Sequence, residues 1–454
     1  MDKKTALNYL SDFREMMQEA EHFLWEHPQT GFREWDAHNY LKEIFTELGY
    51  SVTEAGNIPG FVAEYNTNNP GPCVVLFAEL DSLICFEHPD SKKENGYVHA
   101  CGHHAQCAAL LGIAASLKKG LLSESNGENT IYAGKILLCC VPAEELIELE
   151  YRQTLYDKGI IKYFGGKAEF LSRGLLDEAD IAIMVHSTGG KDNSFLMPKG
   201  CNGCIAKKTS FIGRAAHAGT GPQNGINALY AANVAISACN ALRETFVDNE
   251  HIRFHPIITK GGSVVNAVPS EVVMESFVRG ASMKAIVANN EKINRAMIGS
   301  SYAMGANVRL NDIPGYAPLI NDNNLRRIAV NAMLEITEEE LIDSSDVWRY
   351  GCTDMGDISM VMPAVHPYCS GCSGACHGAD FHISNFDSAV INAALLQLLM
   401  LENLLKDNAA KAIYVKENAT PEFSSKKAYL EYLDSLYLDK LALSYDDNGN
   451  VSLN

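Results

Sequence analysis

Apolar residues recur at helical spacing early in the chain. Leu7, Leu10, Phe13, Met16, Met17, Phe23 and Leu24 predict a helix over residues 5–26. The turn His27-Pro28-Gln29-Thr30-Gly31 follows, then a second helix to Leu48, stopped by Gly49. Beyond it the pattern changes to short apolar runs. Val74-Val75-Leu76-Phe77-Ala78 reads as a strand ending at Glu79-Leu80-Asp81, and Lys135 to Val141 as another ending in Pro142-Ala143-Glu144-Glu145. A helix from about His104 to Lys118 lies between them. Residues 146–176 read as helical with a break at Gly165-Gly166, and Ile181 to His186 as a strand. Strands alternating with helices predict an α/β fold with a mostly parallel sheet.

Near Pro198 the character shifts. To about Pro314 the order is strand, helix, strand, strand, helix, strand: Cys204 to Gly213, Ile226 to Val247, Ile252 to Thr259, Val272 to Arg279, Met283 to Met304 and Asn307 to Asn311. This is a two-layer α+β unit inserted into the first domain. The expected division is 1–197 and 315–454 for one domain and 198–314 for the insert. Helices return from Asn321 to Glu335 and from Ser384 to Leu405, with a strand at Val361 to His366. The polar stretch 408–454 is expected at the periphery.

The net charge is −19 without a lysine- or arginine-rich run, which argues against nucleic acid or an anionic membrane as partner. No secretory signal and no apolar stretch long enough to span a bilayer are read from the sequence. Thirteen cysteines in a long chain without a signal suggest reduced thiols in a cytoplasmic protein.

The chemistry gathers at the strand ends. His99-Ala100-Cys101-Gly102-His103-His104 places a thiol and three imidazoles within six residues. Cys101 and His103, two apart, can face one ion from a loop. Glu144 and Glu145 close a strand and point opposite ways, so one carboxylate can bind metal while the other faces water as a general base. His186 ends another strand. Thiolate, imidazole and carboxylate at successive strand ends are the donors of a transition-metal site, and strand ends are where open α/β sheets bind ligands.

These motifs resemble the aminoacylase, hippurate hydrolase and auxin-conjugate amidohydrolase group of dinuclear zinc metallopeptidases. The resemblance runs through Glu79-Leu80-Asp81, the His-Ala-Cys-Gly-His run at 99–103, Pro-Ala-Glu-Glu at 142–145, His186 and His377-Gly378-Ala379-Asp380-Phe381. In the insert, Gly213 to Ala218 and Gly261 to Pro269 are similar to the family's Gly-x-x-x-His-Ala and Gly-Gly-x-x-x-Asn-x-x-Pro. Gly351-Cys352-Thr353-Asp354-Met355-Gly356-Asp357 with Gly315-Tyr316 resembles the aminobenzoyl-glutamate hydrolase branch most.

The resemblance implies a metallopeptidase catalytic domain carrying a dimerisation (lid) domain. It implies two divalent ions, zinc by default with manganese, cobalt or nickel compatible. Cys101, His103, Glu145, His186 and His377 would hold them, with Glu144 as general base. His217 would reach the active site of a partner subunit in a homodimer and polarise the scissile carbonyl. Asn266 and Arg279 would hold the substrate carboxylate, and Asp81 would orient an imidazole. The implied substrate is an N-acyl or N-aroyl amino acid or a peptide. A dipeptidase or aminoacylase of the same fold, and a non-catalytic metal-binding module, are the alternatives.

Two departures stand out: His104 occupies a position where the family often has Asp, and 146–165 is longer than usual. His382 competes with His377 as last ligand. Cys369-x-x-Cys372-x-x-x-Cys376-His377, with Cys201-x-x-Cys204, also forms a rival candidate for a structural zinc or iron–sulfur site.

Overall fold

The computed structural model describes residues 2–122, 131–446 and 451–454. The chain divides into two compact units. The first comprises Met1–Gly200, Leu319–Trp348 and Asp354–Lys426; the second comprises Cys201–Pro318, Arg349–Thr353 and Lys427–Asn454.

A six-stranded sheet organises the first unit, in the order Val52–Glu54, Phe61–Asn66, Lys135–Val141, Cys73–Glu79, Ile181–Ile183, Ala364–Val365. The three pairings from Lys135–Val141 to Ala364–Val365 are parallel, and the two outer pairings at the other end are antiparallel. Cys73–Glu79 is buried at every position, as a parallel strand covered on both faces must be. Against it packs the helix His103–Lys118, an alanine- and leucine-rich segment buried along fifteen of its sixteen residues. That helix is apolar all round because it is core all round.

Several expected elements are shorter or divided. The first helix is two, Lys3–Asp12 and Arg14–Glu26, because Phe13 leaves the helical region (φ −112°, ψ 11°). Residues 146–176 give two short helices, Leu149–Asp157 and Gly166–Ser172. Ile181–Ile183 stops before His186. His186–Ser187 instead pairs in parallel with Tyr368–Cys369, within a separate four-stranded sheet.

The expectation that no stretch is long enough to span a bilayer is corrected. Asp387–Asn418 is long and apolar enough by length and composition, but 89% of its apolar window is buried within the protein. It is a core helix, interrupted at Lys406–Ala409, where three successive residues take left-handed angles.

The second unit is a five-stranded antiparallel sheet in the order Arg253–Lys260, Glu271–Gly280, Gly203–Ile212, Asn307–Pro314, Leu438–Leu441. Two helices, Ala228–Ala241 and Met283–Ala303, pack together and against its strands. Glu271–Gly280 alternates buried and less buried residues along its length, the mark of a sheet covered on one face. Asn227 and Ser282 cap the two helices by accepting from Leu229 and Tyr230 N–H and from Ala285 N–H. The assignment of all of 315–454 to the first domain is corrected here. Residues 315–318, Arg349–Thr353 and Lys427–Asn454 group with the insert, the last because Leu438–Leu441 adds the edge strand beside Asn307–Pro314.

Candidate metal centre

The strand Cys73–Glu79 delivers Glu79 and Asp81 to the point where the helix His103–Lys118 begins. Gly102 makes that junction in the left-handed region (φ 106°), and a Cβ there would stand 2.5 Å from Ser187 Oγ. Cys101 and His103 are thereby presented together. His103 Nδ1 donates to the Asp81 carbonyl at 2.8 Å and lies 3.2 Å from Asp81 Oδ1. Its other nitrogen is left facing carboxylates: Nε2 is 3.2 Å from Glu79 Oε2 and 3.9 Å from Glu144 Oε2. It makes no hydrogen bond with either.

Cys101 links the remaining donors. Its Sγ is 3.5 Å from His186 Nε2 and 3.9 Å from Cys376 Sγ. The donor atoms of Cys101, His103 and His186 lie within 4.8 Å of one another, as do those of Cys101, Cys376 and His377, and of Glu79, His103 and Glu144. His377 Nε2 is 2.8 Å from Glu145 Oε1. The His377 side is the more open, with half of that side chain exposed.

The Glu144-Glu145 turn is built from tertiary contacts. Ala143 takes a left-handed φ of 60°. Glu34 accepts from Ala143 N–H at 2.8 Å, and Asp81 accepts from Glu145 N–H at 2.7 Å. Arg152, itself buried, donates to the carbonyls of Ala143, Glu145 and Phe164. The long segment 146–165 thus braces the turn through its helix Leu149–Asp157. Gly166 N–H donates to Ala143 O at 3.3 Å, and a Cβ on Gly166 would lie 1.6 Å from Pro142 O.

Buried charge is concentrated here. Lys167 Nζ donates to Glu79 Oε1 at 2.6 Å and to Asp354 Oδ1. Burial alone would lower the Lys167 ammonium, but Asp354, Glu79 and Glu144 hold it above its ordinary value. Burial likewise opposes ionisation of Glu79 and Glu145. Lys167 and His103 nevertheless bring Glu79 down to about 2, and His377 and His103 do the same for Glu145. Glu144 goes the other way: burial first, then Glu79 and Glu145, push its carboxyl well above the usual range. Two adjacent carboxylates with opposed shifts suit one for binding a cation and the other for carrying a proton.

Cys101, His103, Glu145, His186, His377, Glu144 and Asp81 therefore come together. His382 does not join them; exposed, its Nδ1 lies 3.0 Å from Asp380 O. His104 points to Glu21, with Nε2 3.3 Å from Oε1, and its ring lies beside Trp25. Cys369 and Cys372 enter no three-donor group among the described residues, so the rival cluster is not assembled. Cys369 is buried with its thiol near the carbonyls of His186 and Ala389, and Cys372 packs in an apolar cluster with Leu83 and Phe381. All thirteen cysteines are free.

His217, Asn266 and Arg279 belong to the second unit. His217 is exposed; it pairs with Ala267 in an isolated bridge, and Ala218 N–H donates to Asn266 O at 2.9 Å, so the two predicted loops meet. Gly219 and Thr220 N–H donate to His217 Nδ1, each at 3.1 Å. Arg279 sits elsewhere, opposite Cys204 in the sheet. Sequence reasoning missed Cys376, Lys167, Asp354, Arg152 and Glu34 as parts of the centre. Only Cys376, next to His377, and Asp354, within the Gly351–Asp357 motif, carried a local signal.

The profile described as Peptidase family M20/M25/M40 matches residues 75–402. Xaa-Arg dipeptidase of Mus musculus is 25% identical over 382 residues, covering 81% of this chain and 79% of that protein. Hippurate hydrolase of Campylobacter jejuni is 25% identical over 311 residues, 66% of this chain and 73% of that protein. The crystal structure of a dinuclear metal binding peptidase of the M20 family from Bacillus subtilis superposes with a TM-score of 0.63 at 19% identity, covering 87% of this chain and 99% of that one.

Proposed function

Because the chain belongs to peptidase family M20/M25/M40, whose members hydrolyse amide and peptide bonds, we propose that it is a dimetal amidohydrolase acting on N-acyl or N-aroyl amino acids of the aminobenzoyl-glutamate or hippurate type. The products are a carboxylic acid and a free amino acid. The observation that carries this reading is the convergence on Cys101 of His103, His186 and His377, with Glu145 on His377 and Glu144 beside His103.

The residues present fit divalent ions. His103 Nε2 and Asp81 Oδ1 are buried polar atoms without hydrogen bonds, and sulfur, imidazole and carboxylate together suit zinc, with manganese, cobalt or nickel also compatible. Cys101, His103, Glu145, His186 and His377 would hold the ions. When bound, two such ions supply Lewis acidity and acidify a water at the centre. Glu144, beside His103, would take a proton from the attacking water and return it to the leaving nitrogen. Asp81 fixes the His103 tautomer by accepting at Nδ1. His217 from the insert of a partner subunit would donate to the developing oxyanion, and Asn266, whose loop meets that of His217, would receive the substrate carboxylate, with Arg279, opposite Cys204 in the sheet, as the other candidate. The chain works as a cytoplasmic homodimer joined through the insert, where exposed Tyr230, Val234, Ile257 and Ile258 supply apolar surface.

A second reading, a dipeptidase, is favoured by the similarity to Xaa-Arg dipeptidase over most of both chains. The test is a panel of aroyl-glutamate, hippurate-like, acetylated and dipeptide substrates, assayed before chelation, after it, and after reloading with zinc or manganese. Activity on the aroyl and acyl compounds that chelator abolishes and metal restores is the expected result. Turnover of dipeptides alone selects the second reading, and turnover indifferent to chelator removes both.

A further inference from the structure

The reading of the centre as a metal site accounts for Cys101 but leaves a second thiol beside it. Cys376 Sγ stands 3.9 Å from Cys101 Sγ. Two thiolates on one tetrahedral ion, each at about 2.3 Å, stand about 3.8 Å apart. A thiolate and an imidazole nitrogen on one ion stand about 3.6 Å apart by the same construction; Cys101 Sγ to His186 Nε2 is 3.5 Å. The sulfur pair is thus at the separation of two ligands sharing an ion, and nearly twice the roughly 2.05 Å of a disulfide. The donor atoms of Cys101, Cys376 and His377 also fall within one 4.8 Å group.

The backbone holds Cys376 in that place. His377 N–H donates to Ala100 O at 2.8 Å, tying the turn to the segment that carries Cys101. Gly378 N–H donates to Ala375 O at 2.8 Å, and Ala375 N–H to Asp380 Oδ1 at 3.0 Å, closing the turn around both residues.

We infer that Cys376 supplies a second thiolate to the metal centre and biases it toward a thiophilic divalent ion, zinc, over manganese. This rests on the proposed function only in taking the centre to bind divalent metal. On binding, each thiol gives up its proton to solvent, and no electron is transferred. Thiolates favour zinc, whereas carboxylate and water suit manganese. A centre with a single sulfur would be the more permissive.

The test uses the full chain, reduced and loaded with Co(II), and reads the near-ultraviolet thiolate-to-cobalt charge-transfer band. The expected result is that Cys376→Ser and Cys376→Ala each lose about half of the parent's band while melting cooperatively. Both should also lose at least about tenfold in their zinc-over-manganese preference, measured by competition and elemental analysis. A band and a preference unchanged in both variants overturn the assignment of Cys376 and leave the metal site standing. A parent that binds cobalt without any such band, or binds no divalent metal, overturns the assignment together with the reading of Cys101 as a ligand.

Discussion

Each unit encloses one fully buried lysine among the described residues, and the two are wired differently. In the second unit Lys207 Nζ donates to Asn290 at 2.9 Å, to Asn294 at 2.6 Å and to Asp312; the two amides in turn donate to the other oxygen of Asp312, each at 2.7 Å. The network is closed. Burial lowers the Lys207 ammonium and Asp312 partly offsets it. In the first unit Lys167 bridges Glu79 and Asp354, and Glu79 continues to Gln106 at 3.0 Å and to His103. That network opens onto Glu144 and the donor atoms. A closed buried pair holds a fold together, whereas one lysine among several carboxylates leaves negative charge for something else to neutralise.

The largest effect expected at the open network is catalytic. Glu144→Gln keeps the shape and removes the proposed proton carrier, so kcat should fall by about 10²–10⁴-fold while elemental analysis finds the parent's metal content. Parental turnover would show that the proton is carried elsewhere.

The comparison itself is tested by Lys167→Met against Lys207→Met. Removing one partner of a buried pair costs about 3–5 kcal/mol, so denaturant unfolding should show both variants destabilised. Their metal affinity should separate them. Lys167→Met unbalances Glu79 next to His103 and should change metal affinity by at least about tenfold, while Lys207→Met, whose Asp312 keeps two amide donors, leaves it unchanged. Equal affinities in the two variants would mean that the first network is as closed as the second.

A smaller effect sits at Gly166, where the helix carrying Lys167 touches the turn carrying Glu144. Gly166→Ala forces a Cβ onto Pro142 O and should cost about 1–3 kcal/mol, with kcat reduced more than KM. The smallest effect concerns pH. Buried His38 accepts from Gly60 N–H at Nδ1 and faces Glu54 through Nε2, an arrangement for the neutral ring. Burial lowers its pKa from 6.5. Its contribution to stability is therefore present above about pH 6.5 and lost as pH falls below it toward the folded value. Denaturant unfolding between pH 7.5 and 5 should show a steeper loss for the parent than for His38→Gln, and identical slopes would remove His38 from the account.

Much of the centre was legible because its donors lie in short motifs at strand ends: Cys101 and His103 are two apart, and Glu144 and Glu145 adjacent. The buried strands were legible as continuous apolar runs, and the insert from its alternation. Arg152, Lys167 and Glu34 were not. Each is a charged residue in a stretch that reads as surface, and its burial comes from partners far along the chain, Asp354 for Lys167 and Ala143 for Glu34. The edge strand Leu438–Leu441 is exposed at three of its four positions, so no hydrophobic pattern marks it, and only pairing with Asn307–Pro314 defines it. His186 was placed on the wrong strand because Met184 and Val185 continue the apolar run past the last pairing of Ile181–Ile183.

Ala143 precedes the paired glutamates and His377 closes the donor set, and both carry a side chain through a region of backbone space that ordinary residues avoid, at φ 60° and 64°. Such a residue costs on the order of 1–3 kcal/mol and persists only where its surroundings over-determine it. Under the proposed function, emptying the centre of its ions would withdraw part of that support while leaving the sheets intact. The first motion on chelation is then a local relaxation of these two turns, seen as faster amide exchange at Glu145 and His377 while the strand Cys73–Glu79 stays protected. Metal loss and loss of shape would be separate events, and the scaffold would wait, folded, for its ions to return.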